Sequence, residues 1–178
     1  MDKDAVLFHV TYYGRLESIA EDGLVRGAPK SIGAPAYDYH RAKGVFLTDV
    51  EGIFHWYHKA EDFAEHESEN YIEDGAVPVV LRVADPGDLV EDDVANSETL
   101  FENYISPGGV VSEDIEVWTG REWVAVDRWE DVDPEQSVKW VDDVEEDDEE
   151  YSGYWQFLNT SPLLPDEKQA WMPGEVFA

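Results

Sequence analysis

The stretch Leu7–Tyr57 decides how the chain is read. It opens as LFHVTYYGRLESIAEDGLVRG over residues 7–27 and closes as GVFLTDVEGIFHWYH over residues 44–58. Ala5 to Val10 is an apolar run of strand length that carries a single histidine, His9, followed one residue later by Thr11. Leu16, Ile19 and Ala20 then fall at i, i+3 and i+4, the apolar stripe of a short helix. Gly23 follows as a C-terminal cap, because glycine takes a positive φ without strain. Residues 27–43 have no periodicity and several Gly and Pro, which predicts a loop; it carries Tyr37 and Tyr39. Gly44 to Thr48 predicts a second strand. The Thr48-x-x-Glu51 spacing predicts a capping box that starts a helix. Ile53, Trp56, Tyr57, Ala60, Phe63 and Ala64 repeat at helical spacing and make this the most clearly periodic segment. A strand histidine, a loop of aromatics and a helix tyrosine can converge on one cleft.

Outward from this stretch, Val77 to Val83 predicts a third strand and Asp85-Pro86-Gly87-Asp88 a turn. Residues 91–101 are expected to form a polar loop, and Glu102 to Ile105 a short strand. Ile115 to Trp118 and Trp123 to Val126 flank Thr119-Gly120-Arg121-Glu122 as a hairpin. Strands outnumber helices after residue 75, so the expected class is α+β. Residues 141–150, VDDVEEDDEE, are an acidic run. Residues 151–178 regain aromatic and aliphatic side chains, expected to pack on the domain or on a partner. The expected organisation is a domain over residues 1–130, an acidic linker over 131–150 and an aromatic tail over 151–178.

The chain has 178 residues and no cysteine, which excludes disulfides and thiolate metal sites. No apolar run approaches the ~20 residues needed to cross a bilayer, and the start lacks a signal-peptide pattern. The expectation is a cytoplasmic protein that does not engage a membrane. Its formal charge is −30, and the acidity is uneven. Residues 1–50 hold 7 acidic and 6 basic side chains, whereas residues 101–150 hold 18 and 3. A broad acidic surface of this kind suits a halophilic chain, because repulsion is screened within ~3 Å at 1 M salt. It gives no support to tight binding of a nucleic-acid backbone.

The ordered set of strand with His-x-Thr, short helix, Gly-Leu, loop, Gly-Val-aromatic-Leu-Thr-Asp and helix with Tyr resembles the ADP-ribosyltransferase superfamily. The closest branch is that of the poly(ADP-ribose) polymerases and diphtheria-type toxins, with their His–Tyr–Glu triad. The resemblance spans residues 7–57 and resumes at 101–118. It implies a split β-sandwich with flanking helices, two facing sheets with a cleft between them. It also implies transfer of ADP-ribose from NAD, with nicotinamide released, to a macromolecular acceptor, a protein in preference to a nucleic acid. His9 then matches the histidine that holds a ribose of NAD, and Thr11 the small position beside it. Tyr57 matches a tyrosine that stacks on nicotinamide, and Glu102 the catalytic glutamate at the start of a late strand. Phe46 occupies the position of the triad tyrosine and lacks its hydroxyl. Leu100 stands where arginine-modifying toxins carry a second acidic or amide side chain. Arg26 or Lys43 would reach the pyrophosphate.

The chemistry is consistent with these residue types. Cleavage of a nicotinamide–ribose bond passes through an oxocarbenium-like state, as glycoside cleavage does. A carboxylate near the ribose stabilises that charge. Two other readings stand beside it: an RNA 2'-phosphotransferase-like enzyme, disfavoured by Phe8 before the histidine, and a non-catalytic acidic binding protein or nucleic-acid mimic. His55, His58, Asp62 and His66 share one helix face, and the expectation is a solvated face and no metal site.

Overall fold

The structure, a computed structural model, describes residues 6–26, 44–71 and 77–137, the side chains of the helix being described to residue 62. Leu7–Tyr12 forms β1, Leu16–Asp22 α1, Val45–Thr48 β2 and Ile53–Tyr71 α2. Pro78–Val83 forms β3, Val90–Glu91 β4, Asp93–Glu98 α3 and Asn103–Ser106 β5. Ile115–Trp118 and Trp123–Ala125 form the hairpin β6–β7. The class is α+β, with a seven-stranded sheet in the order β4-β5-β2-β1-β3-β6-β7 and every pairing antiparallel.

The two neighbours of β1 hold it very differently. Against β3, six consecutive residues pair, from Leu7 with Val83 to Tyr12 with Pro78. Against β2, only Phe8 and Thr48 pair. The sheet is therefore nearly divided into β4-β5-β2 and β1-β3-β6-β7.

Side chains alternate across a strand, so the register sorts them into two faces. One face carries Leu7, Leu47, Leu81, Val83 and Val117, all 2 % exposed or less, packed with Leu16 and Ile19 of α1 and with Val126 and Val132. Fully burying a leucine of this kind contributes about 1.5–3 kcal/mol, which is why α1 holds despite its seven residues. Gly23 caps α1 at φ +76°, its N–H donating to the Ile19 carbonyl, as its position predicted. The opposite face carries Phe8, Val80, Trp118 and, half-buried, Trp123, and packs against α2, whose Ile53 and Tyr57 are buried. The Tyr12 hydroxyl donates to the Ala60 carbonyl at 2.8 Å, and Trp56 Nε1 donates to Asn103 Oδ1 at 2.9 Å.

Two local expectations are corrected. The helix after β2 is not started by a Thr48–Glu51 box. Asp49 is the cap, its Oδ1 accepting from the Gly52 N–H at 3.1 Å, and a 3-10 turn over Val50–Gly52 leads into α2. The Thr48 hydroxyl instead donates across the sheet to the Glu102 carbonyl at 3.4 Å. Residues 91–101 are not a plain loop: β4 closes the sheet edge and α3 follows, capped by Asp92 Oδ1 accepting from Ala95 N–H. Val132 and Ser137 are buried, so the packed body continues past residue 130 to residue 137. The loop 27–43 and the segments 141–150 and 151–178 lie outside the described residues. Among the described residues, no helix is long and apolar enough to cross a membrane.

Candidate active site

His9 sits on β1 where that strand is barely paired with β2. Its Nδ1 lies 2.6 Å from the Phe46 carbonyl oxygen. A carbonyl can only accept, so Nδ1 carries the proton and donates, which leaves Nε2 as the acceptor of a neutral ring. Burial pushes the His9 pKa below the ordinary histidine value, and the bond to the Phe46 carbonyl opposes that shift without reversing it. At neutral pH the ring is therefore an uncharged acceptor, suited to a hydroxyl and not to a phosphate. The imidazole also joins β1 to β2 beyond the single Phe8–Thr48 pair.

Glu102 lies just before β5, at the far side of β2. Asp49 holds its backbone from both directions: the Asp49 N–H donates to the Glu102 carbonyl at 3.1 Å, and Asp49 Oδ2 accepts from the Glu102 N–H at 3.1 Å. Burial pushes the Asp49 carboxyl up to about 6; its bond from the Glu102 N–H pulls the other way, and the charge of Glu51 adds to the rise. Gly52 packs against this junction, where a Cβ would lie 1.8 Å from Thr48 Oγ1, so only glycine fits. Beyond Glu102, buried Asn103 forms a polar knot. Its N–H donates to Asn96 Oδ1 at 2.7 Å, its Nδ2 to Thr99 Oγ1 at 3.0 Å, and its Oδ1 accepts from Trp56. The exposed Glu102 carboxylate accepts at Oε2 from the Tyr104 hydroxyl. Burial pushes the Tyr104 phenol well up, and the bond and charge of Glu102 push it further. Glu102 and Tyr104 border an open cleft of about 490 Å³ lined also by Glu91, Asn96, Thr99, Leu100 and Phe101; His9 is not among its lining residues.

The register brings some of the predicted residues together and separates others. Leu47 pairs with Tyr104, and the Phe8–Thr48 pair sets Leu47 beside His9. His9, Thr11, Tyr104 and Glu102 thus share the α1 face of the sheet. Two strand spacings and one side-chain repeat separate His9 from Glu102, roughly 12 Å between Cα atoms. Phe46 projects to the opposite face with Thr48 and Ile105. Tyr57 is only 1 % exposed, inside the packing of α2 on that opposite face. Arg26 is exposed beyond α1, and Lys43 lies outside the described residues, as do Tyr37 and Tyr39. His58 Nδ1 meets Glu61 Oε1 at 2.9 Å, and the His55 ring tilts against Phe101 with centroids 5.2 Å apart. Among the described residues there is no group of three or more potential metal ligands, and the side chain of His66 is not among them.

Asp49, Asn103 and Tyr104 were not anticipated as site residues. For Tyr104 a signal existed: it stands two residues after Glu102 in a strand, and that spacing puts both side chains on one face. For Asp49 there was none, since Glu102 lies 53 positions away, and for Asn103 the bond from Trp56 spans 47. No protein-family model matches this chain, and no curated protein or solved structure matches it.

Proposed function

We propose that this chain is an NAD-dependent ADP-ribosyltransferase with a split β-sandwich, modifying a protein acceptor and releasing nicotinamide. The observation that carries the reading is His9: a neutral histidine at the weakly paired β1–β2 seam, its Nδ1 proton committed to Phe46 and its Nε2 left to accept from a hydroxyl. A ribose of NAD supplies such a hydroxyl. Glu102, exposed on the same face, supplies a carboxylate for the ribosyl cation that develops as the bond from C1' to the nicotinamide nitrogen breaks. Nicotinamide leaves with the bonding electrons, the acceptor atom bonds to C1', and the proton that the acceptor gives up passes to the Glu102 carboxylate or to water.

His9 and Glu102 support this reading, and the expected aromatic sandwich does not. Buried Tyr57 and reverse-facing Phe46 offer no ring to nicotinamide on the α1 face. That placement favours a second reading, a non-catalytic acidic binding protein on the same fold. The full chain, incubated with NAD in molar salt, separates the two. The enzyme reading expects free nicotinamide and an ADP-ribose mass added to an acceptor protein. Glu102→Gln should lower that turnover roughly 10²–10³-fold, and Glu98→Gln should leave it unchanged. Absence of nicotinamide release removes the enzyme reading, and equal turnover in Glu102→Gln removes Glu102 as its carboxylate.

A further inference from the structure

We infer that Tyr104 is a positioning residue for Glu102, holding one carboxylate oxygen so that the other faces the ribosyl centre. This inference rests on the transferase reading above. Glu102 has an exposed side chain with three rotatable bonds, which left alone spreads over many rotamers. Its backbone is fixed by the paired bonds to Asp49. Its carboxylate is fixed by something else: the Tyr104 hydroxyl donates to Oε2. Oε1 remains for a developing cation.

Tyr104 is well placed to act as an anchor. It pairs with Leu47 of β2 on one side and with Glu91 of β4 on the other, so its strand position is set from both edges. Its ring packs partly buried against the core of the α1 face. The ring holds the phenol in place, and the hydroxyl reaches the exposed neighbour. Burial, together with the charges of Glu102, Asp49 and Glu91, keeps the phenol protonated and hence a donor. The packing needs only the ring, so Tyr104→Phe removes the bond and keeps the shape.

The test uses the full chain. Tyr104→Phe should melt with the parent, lower kcat for nicotinamide release roughly 10–100-fold, and leave KM for NAD unchanged. Placed in a Glu102→Gln background, it should cause no further loss, because the carboxylate it positions is gone. A merely structural tyrosine would instead lower kcat by the same factor in both backgrounds. As a readout independent of turnover, the 13Cζ resonance of Tyr104 should titrate at lower pH in Glu102→Gln than in the parent. If the parent releases nicotinamide and Tyr104→Phe matches it, the Tyr104 inference alone falls. If the parent releases none, the transferase reading falls and the positioning role falls with it.

Discussion

β1 has two edges, and they are held very differently. On the β3 edge, six residues pair in sequence and the side chains between them are buried, Leu81 at 0 % and Val83 at 0 % exposed. On the β2 edge, a single backbone pair remains, and an imidazole bonded to a carbonyl supplements it. A continuous ladder satisfies its backbone groups internally and leaves little for a ligand to find. A nearly open seam carries a side chain that has one polar atom committed and one to offer. In the reading proposed above, the first edge accounts for stability and the second holds the site, and each can be attacked separately.

The largest expected effect lies on the tight edge. Leu81→Ala removes a fully buried side chain beside His9 on β1 and should destabilise the fold by about 2–5 kcal/mol in urea unfolding. A loss below about 1 kcal/mol would mean that this edge is not the structural one.

A smaller effect, with a definite sign, is expected at the end of β2. Folded Asp49 titrates at about 6, against an ordinary carboxyl value of 3.8. The fold therefore keeps a proton that the unfolded chain gives up. The stability this adds is full below about pH 3.8 and is lost as pH rises through about 6. Asp49→Asn cannot ionise and escapes that loss. Its melting temperature should gain on the parent's between pH 4 and pH 7.5, and an unchanged difference would contradict the buried carboxyl. His9 carries the opposite slope, its depressed pKa costing stability as pH falls below the unfolded value, but it is common to both proteins and cancels.

How much of this was legible in the sequence follows from what is local. β1, β2, α2, β3 and the β6–β7 hairpin were readable because apolar spacing and turn residues report them within a few positions. Gly23 was readable as a cap for the same reason. α3 was missed because a six-residue helix has too few turns to show a period, and it is held by Asp92 and by the Asn96–Asn103 bonds. The cap of the turn into α2 was misplaced by one residue because Thr48 spends its hydroxyl on Glu102, 54 positions away. At the site, His9 stood out as the polar member of an apolar strand. The face of Phe46 did not, since β2 has only four residues and covered side chains on both faces. Tyr57 lies on the apolar stripe that packs α2 on the sheet, and the same stripe suggested both core and ligand.

The most direct test of the central claim is NAD binding to the parent and to His9→Ala, by calorimetric titration of the full chain in molar salt, with both melting temperatures recorded. Removing the imidazole leaves the Phe46 carbonyl without that partner and should cost about 1–3 kcal/mol of stability. The account predicts that the parent binds NAD, that His9→Ala binds it at least tenfold more weakly, and that both fold. A parent that does not bind NAD, or a His9→Ala variant that binds it equally well, would contradict the assignment of the β1–β2 seam as the site.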